Sequence, residues 1–148
     1  MKKAKIYNVI IIVFIIILFY CQKEIAENNS LSIKEVQFQS ALGSAADDFS
    51  YYYETKNNDN YLFGISSFKA ASWVVNWFPE DTEANRAQVN LLLLHAHMVV
   101  SPDVVEKYLP EIIDYFHRLQ EDINDIAAYD QILILNNKIT AEINDNLE

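Results

Sequence analysis

A chain of 148 residues is long enough for one domain with a proper core and too short for two. A net charge of −10 argues against nucleic acid as a partner, and 51% hydrophobic residues with only two glycines and three prolines argue for long regular elements rather than disorder. The single cysteine, Cys21, excludes a disulfide framework or a thiolate metal site within one chain.

The first twenty residues hold Lys2, Lys3 and Lys5 and no acid, which leaves eight basic against 21 acidic side chains beyond Tyr20, a net of −13. The lysines precede an apolar run, Val9 to Tyr20, and then a polar stretch, the layout of an export signal. The run is twelve residues, or fifteen counted from Ile6. At about 1.5 Å per residue it reaches roughly 18–22 Å, short of a hydrocarbon core of about 30 Å. With the positive flank held in the cytoplasm, the remainder is expected on the other side of the membrane.

Leu18-Phe19-Tyr20-Cys21, closing the apolar run, resembles the lipobox of bacterial lipoproteins. Leu18 and Cys21 carry the resemblance; Phe19 and Tyr20 stand where that family has small residues. The resemblance implies a signal peptide over residues 1–20 and a lipidated Cys21 as the first residue of the mature protein. It also implies anchorage to a membrane of the bacterial cell envelope, with the domain outside the cytoplasm. Several acyl chains hold far more firmly than one, since each buried CH2 contributes about 0.8 kcal/mol. Two alternatives stay open, an uncleaved signal anchor and a cleaved soluble product, and both keep the body outside the cytoplasm.

Residues 21–31, the cysteine and the polar QKEIAENNS, read as a tether, and an acidic helical domain is expected over 32–148. Ser32-Ile33-Lys34-Glu35 has the form of a capping box. It opens a helix over 33–56 that carries Phe38, Leu42, Ala45, Phe49 and Tyr52 as one apolar stripe, with Gly43 as a possible close helix contact. A second helix over 60–78 is apolar on two faces, Leu62, Ile65, Phe68, Ala71 and Val75 on one, Ala70, Trp73 and Trp77 on the other. That pattern predicts a helix at the centre of its bundle with both tryptophans in the core.

A third helix over 82–99 uses Ala84, Ala87, Leu91, Leu94 and Met98. A strand over Leu91–Val100 is the weaker reading, because no glycine-type hairpin turn is nearby. Ser101-Pro102-Asp103 predicts a restart with Ser101 as N-cap, and Val105, Leu109, Ile112, Phe116 and Leu119 follow over 102–120, with a kink or break expected at Pro110. A last helix over 124–145 uses Ile132, Leu135, Ile139 and Ile143.

The expected fold class is therefore all-α, about five helices as antiparallel pairs in a compact bundle. FKAASWVVNWFPEDTEA, Phe68 to Ala84, resembles the second helix and closing proline of a tetratricopeptide repeat, which implies a short helical solenoid as the alternative.

Chemistry is sparse. His95 and His97 lie about 200° apart on a helix, so one ion cannot readily bind both. Asp114 and His117 share a face but lack the further acid-x-x-His pair that a di-metal bundle requires. No nucleophile elbow, P-loop or dinucleotide glycine pattern is present, so the chain is not expected to be an enzyme and needs no metal or cofactor. Tyr51-Tyr52-Tyr53 span about 200° of helix, so at least one should reach the surface as a candidate protein contact. The expected function is that of a membrane-tethered lipoprotein whose helical domain binds or scaffolds another protein, with an enclosed small apolar ligand as the alternative.

Overall fold

The computed structural model describes the backbone of residues 2–146 and the side chains of 16–26 and 28–146. The side chains of the first fifteen residues, most of the expected signal peptide, lie outside that set. The chain divides into two units, Met1–Ile33 and Lys34–Glu148. Among the described residues there are seven α-helices, one 3-10 turn and no strand, so the protein is all-α. They are α1 (Lys2–Thr55), α2 (Asn58–Val74), the 3-10 turn Val75–Trp77, α3 (Glu83–Arg86), α4 (Gln88–Val100), α5 (Pro102–Glu106), α6 (Leu109–Glu121) and α7 (Ile126–Asp145).

Within the first unit, α1 leaves Ile16 to Tyr20, Cys21 and Ile25 exposed. Among the described residues no helix is long and apolar enough to cross a membrane. The Ser32 box does not start a helix, because α1 is already running there. Its local reason is plain: residues 22–31 contain no glycine or proline and are rich in Gln, Lys, Glu and Ala, all tolerant of helix.

The second unit is built around the stripe of α1. Phe38, Leu42, Ala45 and Phe49 are fully buried and Tyr52 is 9% exposed. Thr55 ends the helix because Lys56 turns to positive φ (57°) and donates its backbone N–H to the Tyr52 carbonyl at 2.7 Å, the left-handed closure that glycine usually provides. Asn57 then caps α2, its side chain accepting from the Asp59 amide at 3.1 Å. The result is a tight αα-hairpin. Gly64 lies against Phe49, where a Cβ would stand 2.6 Å from the ring. Phe68 and Phe116 lie 4.5 Å apart between centroids, and Phe49 lies 5.6 Å from Tyr61 and 6.3 Å from Phe116, which joins α1, α2 and α6 in one aromatic core.

The expected third and fourth helices each divide in two. Thr82 caps α3 by accepting from the Asn85 amide, while the Asn85 side chain donates to the Val75 and Phe78 carbonyls at the two ends of the 3-10 turn. At Ala87 one carbonyl accepts from both the Asn90 and Leu91 amides, and the ladder resets into α4. α4 is a helix, not the alternative strand. Pro110 breaks the next segment as expected, at Lys107–Tyr108 between α5 and α6. Ser101 differs from expectation: its carbonyl accepts from Val104 and Val105, but its side chain makes no cap.

Asp125 caps α7 by accepting from the Ala128 amide at 3.0 Å, and Arg118 grips the same carboxylate through Nε and Nη2 at 2.9 and 3.0 Å. Burial works against that charge, yet the Ala128 amide and the guanidinium together keep the Asp125 carboxyl below its ordinary range. α7 then packs on α3, α4, α5 and α6. A solenoid has only nearest-neighbour contacts; the return of α7 onto α4 makes this a closed bundle.

Candidate protein-interaction face

α4 sits between α2 and α7. On one side Tyr61 donates to the Met98 carbonyl at 3.1 Å and the Phe68 ring lies 6.3 Å from His95. On the other side Asn136 donates to the Asn90 carbonyl at 2.8 Å and Thr140 hydrogen-bonds His97 Nε2 at 3.2 Å. The two histidines thus face opposite neighbours, as their spacing requires. Burial lowers the pKa of both, with the nearby Lys69 ammonium adding to the effect at His95. Asp114 and His117 are both exposed on α6. Among the described residues no group of three or more His, Cys, Asp or Glu is placed to hold a metal ion.

The tyrosine triplet is split by the helix. Tyr52 turns inward and donates to Glu106 at 3.1 Å, whereas Tyr51 and Tyr53 are 55% and 48% exposed. Lys56 reaches the same Glu106 carboxylate at 2.6 Å and lies 4.8 Å from the centre of the Tyr53 ring. The ammonium, and after it the Tyr52 hydroxyl, hold the Glu106 carboxyl below its usual range. Cys21 is exposed.

The tryptophans overturn their sequence reading. Trp73 and Trp77 are 60% and 67% exposed, so the second apolar face of α2 points outward and the helix is not central. The inward face is the one through Phe68, Ala71 and Val75, all fully buried. Apolarity on two faces is equally compatible with burial on both or exposure of one, and periodicity alone does not decide between them.

Outward stand Phe63, Ser66, Ala70 and Trp73 on α2 and Trp77 on the 3-10 turn that follows it, at successive steps of three, four, three and four. Outward on the adjoining α4 stand Val89, Leu92, Leu93, Val99 and Val100, 39–77% exposed. The two surfaces meet where Leu62 and Val99 line the same open cleft of about 500 Å3, together with Tyr61, Ile65, Met98 and Glu106. Lys69 is the one charged side chain from Asn60 to Phe78, and Gln88 to Val100 has no Asp, Glu, Lys or Arg. An apolar face of this width on a chain of net charge −10 has the composition of an interface core rather than of solvent-facing surface. The heptad-spaced second stripe of α2 was its signal in the sequence. Comparison with protein-family models, curated proteins and solved structures finds no match for the chain.

Proposed function

We propose that the chain is a membrane-tethered protein of the bacterial cell envelope, anchored by lipid at Cys21, whose helical domain acts by binding another protein rather than by catalysis. The observation that carries the binding part is the exposed apolar face of α2, its following 3-10 turn and α4, nine apolar side chains with Ser66 among them. Large apolar patches on soluble domains mark contact surfaces, and exposed Trp is enriched among their anchors. The tether rests on the resemblance of Leu18–Cys21 to a lipobox and on the exposure of Cys21.

A small apolar ligand is the second reading, favoured by the cleft between α2, α4 and α5. Its open mouth and the carboxylates of Asp103 and Glu106 on its rim suit a protein surface better than an enclosed apolar guest.

Expression of the full chain in a bacterium, with a benzophenone amino acid at Leu93, tests both parts. Mass spectrometry of the mature N-terminus should find acylated Cys21, and ultraviolet irradiation should give discrete protein adducts. An unmodified Met1 in the membrane fraction overturns the lipid anchor at Cys21 in favour of an uncleaved signal anchor. Irradiation that yields no protein adduct overturns the binding role.

A further inference from the structure

The outward stripe of α2 is complementary to itself. We infer that it is the contact surface of a homodimer in which two α2 helices cross antiparallel, with Ala70 of each copy on the two-fold axis. The inference rests on the protein-binding reading above and names the partner as a second copy of this chain.

Three observations carry it. The stripe places large residues at its ends, Phe63 and Trp77, and small ones, Ser66 and Ala70, between Phe63 and Trp73. Reversing one copy about Ala70 sets Trp73 opposite the small pair Ser66-Ser67 of the other and Trp77 against its Phe63, so each bulky side chain meets either a gap or the far end of the stripe. This is the reciprocal pattern a two-fold interface demands, where residue i meets j and j meets i. Steps of three and four are those of helix-to-helix seams.

Area is the second observation. An aromatic side chain offers about 150–250 Å2, so Phe63, Trp73 and Trp77 at 59%, 60% and 67% exposure leave roughly 350 Å2 uncovered. The aliphatic side chains of α4 add roughly as much again. The sum approaches the ~800 Å2 per partner of a standard interface and exceeds the ~300–600 Å2 of a typical monomer's largest patch.

Charge is the third. A second copy also carries −10, so association needs a face from which the acids are absent, and this one has only Lys69. Two chains of net charge −10 repel each other, so screening by salt should strengthen the dimer.

The test places the benzophenone amino acid at Ala70 of the full chain in its own membrane and, as a control, at the exposed Asp114 of α6. Irradiation at Ala70 should give an adduct of twice the chain's mass, and at Asp114 none. Trp73→Glu with Trp77→Glu should cut that adduct at least tenfold while leaving the thermal unfolding midpoint of the detergent-solubilised chain unchanged, because neither ring is in the core. Raising salt from 50 to 300 mM should increase the yield. An adduct with a different protein overturns the homodimer and leaves the protein-binding role standing. A lipid adduct alone, or no adduct, overturns both. A homodimer adduct that survives the double substitution, or that weakens with salt, overturns the assigned register.

Discussion

The chain's two glycines should respond in opposite directions to the same substitution. In an unconstrained helix interior, Gly→Ala stabilises by about 1 kcal/mol. At Gly64 the added methyl would sit 2.6, 2.7 and 2.9 Å from three atoms of the Phe49 ring, about 1 Å inside ordinary contact. That ring is fully buried and backed by Tyr61 at 5.6 Å and Phe116 at 6.3 Å, so it has nowhere to retreat. Overpacking costs about 1–3 kcal/mol, and a ring with no room to move puts this site at the upper end, about 3 kcal/mol. Less the propensity gain of about 1 kcal/mol, Gly64→Ala should destabilise by about 2 kcal/mol, a fall in midpoint of roughly 6–10 °C for a body of this size. At Gly43 the intruding neighbour is the end of the Gln120 side chain, which is exposed and can swing away. Gly43→Ala should therefore stabilise by up to about 1 kcal/mol. Circular dichroism melts of the full chain in mild detergent read both. A Gly64→Ala protein as stable as the parent would refute the close crossing of α1 and α2.

At Lys56, whose φ of 57° is unfavourable for any side chain, the usual ranking of Ala above Gly should invert. Lys56→Gly should melt higher than Lys56→Ala by about 1 kcal/mol equivalent, since both lose the Glu106 contact and only one keeps the strain; equal melts would mean the left-handed closure is not there. His95 and His97 bind protons more weakly folded than unfolded, so the fold is fully stabilised above their ordinary pKa of 6.5 and loses stability as pH falls below it. Loss from Glu106 and Glu142, whose folded pKa values lie below 4.5, begins only below that pH. His95→Gln should thus flatten the decline in melting midpoint between pH 6.5 and 5 without changing the steeper acid limb. An unchanged decline would show that His95 is no more shielded folded than unfolded.

What the sequence made legible was most of the inward stripe of the longer helices, though Leu62, read as inward, is 61% exposed and Ile65 and Ile143 are only half-buried. Phe38, Leu42, Ala45 and Phe49 are all fully buried, as are Val105, Leu109, Ile112, Phe116 and Leu119, because burial at helical period is what those spacings encode. Pro110 also broke its segment on schedule, since a missing N–H and a ring clash are local effects. The failures came where local chemistry competes with context. Ser32 and Glu35 can cap a helix, but only one that has not already begun. Ser101 has the right side chain for a cap, yet its φ of −136° and ψ of 58° turn the backbone so that the carbonyl serves instead. Ala87 gives no sequence sign of the break between α3 and α4, because the break accompanies Asn85 reaching back to the Val75 and Phe78 carbonyls of the preceding 3-10 turn. The α2–α4 face was hidden for a different reason. Trp73 and Trp77 are as hydrophobic outside as inside, and the sequence says how apolar a surface is without saying what covers it.

The outward position of those two rings has a spectroscopic consequence. They are the chain's only tryptophans, while the core is read by tyrosines such as Tyr61 and Tyr129. Emission excited at the indole band is therefore a gauge of the α2 surface and nearly blind to the interior. In an isolated copy it should stay red-shifted and change little when the bundle melts. A blue shift in the native protein would signal that something has settled over Trp73 and Trp77, and its concentration dependence would say whether that something is another copy.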